Sequence, residues 1–228
     1  MMKLTPLLLC TLLAACAGKD TANADGKTPA TTRDNQTSTS QQTAQQPVPK
    51  GEFTQIDVKR SQAVMDQITE GNTESINTVL QQPNDYAPPV LYLVSAIMFD
   101  NDYQDQAVFW FYTAQLRARS DANKAMDKTT HNAINQLNQQ FGRRIIPYAT
   151  SNPDRLAAIV NQSLEWDSKQ SRNYDPRWIA LTGKDILTET KVNFAPKDKW
   201  AEIDALTRSQ YRQGLEQALA EVRKSAEQ

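Results

Sequence analysis

The chain has 228 residues, with 25 Lys+Arg against 26 Asp+Glu, a single histidine and two cysteines. A formal net charge of −1 carries no electrostatic footprint for nucleic acid, so no nucleic-acid partner is expected. One histidine rules out metal sites built on His pairs, HExxH included, and residues 53–228 hold only the scattered Gly71, Gly142, Gly183 and Gly214, so there is no glycine-rich phosphate loop.

Met1 to Lys3 supply one positive charge, Leu4 to Leu13 are nearly all apolar, and Ala14-Ala15 place small residues before Cys16. That order is a secretory signal. The apolar run of about ten residues is too short to cross a hydrocarbon layer of about 30 Å, so removal is expected rather than a permanent membrane span. Leu13-Ala14-Ala15-Cys16 resembles the lipobox of bacterial lipoproteins. The resemblance implies that residues 1–15 leave as a signal peptide and that Cys16 becomes the acylated first residue, anchoring the chain in a membrane. Ala17 stands where aspartate would signal retention at the inner membrane, which for a double-membraned source implies an outer-membrane lipoprotein facing the periplasm. Cys10 departs with the signal, leaving no cysteine for a disulfide or thiolate metal site.

Residues 16–52 read as a lipidated tether. From Ala17 to Lys50 there is no aromatic residue and Val48 is the only large aliphatic, so nothing offsets the entropy of ordering the segment. Its flexible reach of about 30 to 35 Å suits a spacer. Residues 53–228 fit one globular domain.

Helical periodicity dominates that domain. The pattern predicts helices over Lys59–Glu70, closed by Gly71, and over Thr73–Gln82, followed by one opened by Pro88-Pro89 with Val90, Leu91, Val94, Ile97 and Met98 inward. After "FDNDY" comes "QDQAVFWFYTAQLRAR", with Ala107, Trp110, Phe111, Ala114 and Ala118 on one face and Val108, Phe109 and Tyr112 making the turn apolar all round, as in a buried helix. The spacing Ala-x-x-Trp-Phe-x-x-Ala resembles the second helix of a tetratricopeptide or Sel1-type repeat, over about 88–119. No second copy follows, so the expectation is one repeat-like hairpin and not a solenoid.

Downstream, Thr130 is the expected N-cap of a helix with Ile134, Leu137 and Phe141, stopped by Gly142. "RRIIPYATSNP" reads as a loop. Asn152-Pro153-Asp154 is the best-signed helix start, opening a helix to about Asp167 with Leu156, Ile159, Val160 and Leu164 inward. Asp175-Pro176 repeats the device for "RWIALTG". Residues 186–194 alternate weakly, as a single strand or a loop. Pro196 opens a long final helix with Trp200, Ile203, Leu206, Tyr211, Leu215, Leu219 and Val222 inward, in which Gly214 allows a kink or a close helix contact. The expected fold is all-α, with about eight helices.

Candidate functional residues are few. His131, beside Thr129 and Thr130, reads as a surface or capping residue unless an acid and a hydroxyl converge on it. Glu165 and Asp167 are two apart and do not share a helix face. Arg117, Arg119, Arg143 and Arg144 are expected at or beyond helix C-terminal ends, where they complement the helix dipole or form a patch for an acidic partner. Trp166, Tyr174, Arg177 and Trp178 combine amphipathic rings and arginine at a helix end and loop, as interface anchors do, with core and loop packing the competing reading. The expected activity is protein binding at the cell envelope, by an immunity or inhibitor protein or an assembly accessory. A hydrolase of envelope lipid or glycan and a small-ligand carrier are the alternatives; no cofactor or metal is expected.

Overall fold

The computed structural model describes residues 48–226, without the side chains of 222, 223, 225 and 226. The lipobox, most of the tether and the expected inward position of Val222 lie outside the described residues.

The domain is all-α. Its helices are α1 (Lys59–Thr69), α2 (Glu74–Gln81), α3 (Pro88–Asp100), α4 (Gln104–Lys124), α5 (His131–Phe141), α6 (Ile145–Thr150), α7 (Pro153–Ser168), α8 (Asp185–Thr188) and α9 (Trp200–Ala226), joined in part by 3-10 turns. Helix α4 is the axis: α3, α5, α6, α7 and α9 all pack against it. Ala107, Ala114, Ala118 and Ala122 are buried along it, and these small side chains let neighbouring helices approach closely on more than one side. Tyr92 of α3 meets Phe111 edge-on at 5.2 Å and stacks on Phe141 of α5 at 6.0 Å, tying three helices into one core.

The compact unit begins at Pro49, ahead of the expected start at residue 53. Gly51 has φ +57°, and its backbone lies so close to Thr190 that an added Cβ would stand 2.2 Å from the Thr190 carbonyl oxygen. The Glu52 N–H donates to that oxygen at 2.8 Å, while Phe53 is buried with Ile56, Ala180 and Ile186 in a small second core.

Several local expectations are corrected. "RRIIPYATSNP" is not wholly a loop, because Ile145 and Ala149 bury one face of α6 and Pro147 falls in its first turn, where no intrahelical N–H is needed. Thr130 stands at the N-cap position of α5 as expected, but its hydroxyl donates to the Asp127 carbonyl at 2.8 Å and makes no cap bond, while Asp127 caps the preceding 3-10 turn by accepting from the Thr129 N–H at 2.9 Å. Asn152 caps α7 as expected, its Oδ1 accepting from the Arg155 N–H at 3.0 Å. Residues 185–188 form the short α8, and the rest of the 186–194 stretch is loop, apart from an isolated antiparallel bridge between Phe194 and Ala125.

On α9, Leu206 is 56% exposed whereas Thr207 is buried. The helix docks there through Asp204, Thr207 and Arg208, which contact charged and polar partners, while the expected inward residues Trp200, Ile203, Tyr211, Leu215 and Leu219 are all at least half-buried. Gly214 makes no close contact: a Cβ added there would meet nothing within 4 Å.

Candidate functional site

The polar heart of the domain is built on α4. Arg117, Asp121 and Lys124 recur at i, i+4 and i+7, which places them on one face, and all three are buried. Arg117 Nε donates to Asp167 Oδ1 of α7 at 2.8 Å, with neither side chain exposed. Asp167 Oδ2 accepts from Arg172 at 2.9 Å and from Arg208 of α9 at 3.0 Å. Arg172 also pairs with Asp204 at 2.9 Å, and Asp204 with Lys124 at 2.7 Å. Lys124 returns to Asp121 at 3.1 Å, closing a network that joins α4, α7, α9 and the loop after α7.

Two expected anchors belong to this network. The Tyr174 hydroxyl and the Trp178 indole N–H both donate to Asp121 Oδ2, at 3.0 and 2.9 Å, and both residues are buried. Burial pushes Asp121 above the ordinary carboxylate range despite Lys124 and Arg172 nearby. Burial pushes Asp167 the same way, but Arg172 and Arg117 outweigh it and hold its carboxyl at about 2.

Arg117 is therefore not at a helix end, because α4 runs on to Lys124. Its guanidinium also donates to Asn84 Oδ1 at 2.8 Å and lies 4.9 Å from the Trp166 ring. Trp166 is half-buried and meets Phe109 and Trp110 edge-on, at 5.9 and 5.3 Å. Arg143 is exposed, and Arg144, also exposed, pairs with Asp100 and covers the Phe99 ring at 5.2 Å. These arginines do not gather into one patch with Arg117.

Next to the network, α1, the 173–177 loop and the start of α9 enclose an open cleft of about 620 Å³. Arg60, Arg177 and Lys197 line it together with Asp57, Asp85, Asp175, Tyr174 and Trp200. Two cations are already paired: Arg60 with Asp85 at 2.7 Å and Arg177 with Asp175 at 2.7 Å. Arg60 also donates to Gln82 Oε1 at 2.8 Å and lies over the Tyr86 ring. Lys197 forms no ion pair among the described residues. The cleft thus brings together Tyr174 and Arg177 from the sequence reading and adds Arg60, Lys197 and Trp200, which it missed. Arg60 and Lys197 are solvent-facing charges with no local signal of convergence, 137 positions apart.

His131 lies elsewhere, between α4, α5 and α9. Its Nδ1 faces the Lys128 carbonyl at 3.3 Å and its Nε2 faces Asn123 Oδ1 at 3.1 Å. Neither ring nitrogen meets an acid among the described residues.

The fold and cleft define a helical body with a rigid ionic interior and a mixed-charge recess at its surface. No family model, curated protein or solved structure matches this chain.

Proposed function

We propose that this chain is a lipoprotein anchored in the outer membrane through acylated Cys16, facing the periplasm, whose helical domain binds another protein of the cell envelope. The observation that supports protein binding best is the cleft bounded by Arg60, Arg177, Lys197 and Trp200. Aromatic side chains and arginines beside an open recess are the residue types that dominate protein interfaces. The two preformed Arg–Asp pairs fix rotamers before a partner arrives, which lowers the entropy lost on binding, and Lys197, which forms no ion pair among the described residues, offers its cation to an acidic residue of that partner. Inhibition of an envelope toxin and support of envelope assembly both fit such a device. Hydrolysis with His131 as base is the weaker reading, since its ring nitrogens face a carbonyl and an amide oxygen.

Two experiments separate anchor from cleft. Metabolic labelling with a fatty-acid probe is expected to mark the chain and to fail on Cys16→Ser; a labelled, membrane-bound Cys16→Ser chain overturns the anchor. A photo-reactive residue at Lys197 is expected to cross-link one envelope protein in cells, and the same residue at Gln139, exposed on α5, to capture none. Arg177→Glu should abolish the Lys197 product. Equal cross-linking from both positions, or none from Lys197, counts against the cleft as the binding surface.

A further inference from the structure

We propose that the pocket walled by α4, α5 and α9 around His131 binds a small hydroxylated carboxylate of the sugar-acid type. The pocket holds about 370 Å³ and does not share a lining residue with the Arg60–Lys197 cleft, so the inference stands apart from the reading of that cleft. Its volume is at the small end of ligand sites, with room for one substituted ring and not for a chain.

The charge of the lining selects an anion. Arg119 supplies the formal charge of that lining, and no aspartate or glutamate lines it. Arg60, Arg117, Arg144, Arg155, Arg172, Arg177 and Arg208 all reach a carboxylate, whereas Arg119, like Arg143 and Arg212, forms no ion pair among the described residues. The Arg119 guanidinium instead lies over the Tyr211 ring, 5.5 Å from its centroid. Stacking by its face leaves the N–H fork along its edge for a carboxylate.

Both the platform and the floor are set in advance. The Tyr211 hydroxyl donates to Gln115 Oε1, and Gln115 Nε2 and the Tyr92 hydroxyl both donate to Asn138 Oδ1, at 2.9 and 2.8 Å. This partly buried relay fixes the ring on which Arg119 rests. On the floor, Thr207 spends its hydroxyl proton on the Ile203 carbonyl at 2.8 Å, so it accepts from Asn123 Nδ2 at 2.9 Å. Asn123 Oδ1 is thereby turned to His131, and Nε2 is the donor of that 3.1 Å contact.

The rim supplies the second half of the recognition. Asn135 and Gln210 are exposed amides, each offering a donor and an acceptor, as each hydroxyl of a sugar does. Ile134, buried in the wall, gives the C–H face of a ring an apolar surface. A carboxylate on Arg119 with hydroxyls on Asn135 and Gln210 would use the guanidinium edge and both rim amides.

The single histidine makes the test direct, since its ring C–H resonances are the only ones of their kind in the chain. The full-length chain is titrated with glucuronate, glucose and inorganic phosphate while the His131 signals are followed by proton NMR. Glucuronate is expected to shift them saturably, and glucose and phosphate to bind about tenfold more weakly or worse, given what one charge-assisted contact contributes. Arg119→Gln, at an exposed position that leaves the core untouched, should weaken glucuronate by about tenfold and leave glucose unchanged. No saturable shift with millimolar glucuronate overturns the site. Phosphate matching glucuronate overturns the sugar-acid class, and an unchanged glucuronate affinity in Arg119→Gln overturns the role of the guanidinium.

Discussion

Arg117 and Asp167 face each other with no exposed side-chain surface on either, and the pair holds only because every remaining polar atom is also served. Removing one partner strands the other. Asp167→Asn is expected to cost about 3–5 kcal/mol in urea unfolding at pH 7, because it leaves Arg117 charged and unpaired in the interior. Arg117→Met combined with Asp167→Leu should cost less than the sum of the two single changes; strict additivity would show that the two residues are not coupled. The pH dependence has a fixed sign. Asp167 sits at about 2 in the fold, below its unfolded value, so its contribution of about 2 kcal/mol is full above about pH 4 and is lost as pH falls through 2. The stability gap between the native chain and Asp167→Asn should therefore narrow by about 2 kcal/mol across that interval. Asp121 acts oppositely: burial raises it, so the stability it lends at low pH is lost as pH rises through its folded value.

At the scale of elements, helix ends were legible where a side chain caps and illegible where tertiary contact decides. The Asn152-Pro153-Asp154 start is a local device, and the Asn152 cap accepts the Arg155 N–H at 3.0 Å. Asn152→Ala should cost about 1 kcal/mol, read as a lower midpoint at unchanged slope in urea. By contrast α6 hides behind Pro147, and the polar face of α4 at Arg117, Asp121 and Lys124 looks from its spacing like a solvated stripe. Its burial follows from helices on several sides of α4, and the local signal was the alanine series Ala114, Ala118 and Ala122 continuing past Arg119. Among the described residues of α9 the one misplaced is Leu206, since Asp204, Thr207 and Arg208 dock that turn through polar and charged contacts. The candidate cleft was less legible still: Tyr174 and Arg177 were in view, but Arg60, Lys197 and Trp200 meet them only through the fold. Gly214 tests whether α9 needs flexibility. Nothing lies within 4 Å of its would-be Cβ, so Gly214→Ala should stabilise the domain by about 1 kcal/mol, and a loss would reveal a contact that the geometry lacks.

For the whole molecule, the boundary between tether and domain is a physical quantity. The sequence before Val48 has no aromatic and little large aliphatic content after the signal, so it has nothing to contribute to a core. The first residues to bury apolar surface are Phe53 and Ile56, which pack with Ala180 and Ile186, while Glu52 accepts from the Val192 N–H at 2.9 Å. A chain starting at Val48 is thus expected to melt at the temperature of the mature chain. One starting at Asp57 loses Phe53, the Glu52 contacts and the docking of Gly51 on Thr190, and a buried phenylalanine alone is worth about 3–5 kcal/mol. In a domain of this size each kcal/mol moves the midpoint by about 2–4 °C, so the shorter chain should melt at least about 6 °C lower. Gly51→Ala in the longer chain isolates the hinge of that contact: a φ of +57° and a carbonyl oxygen 2.2 Å from the new Cβ force the backbone away from Thr190. Its midpoint should fall between the two truncations, because Phe53 keeps its pocket while the strap that holds it is loosened. If Gly51→Ala melts with the mature chain, residues 51–55 are a passive extension of the tether and the domain begins after them.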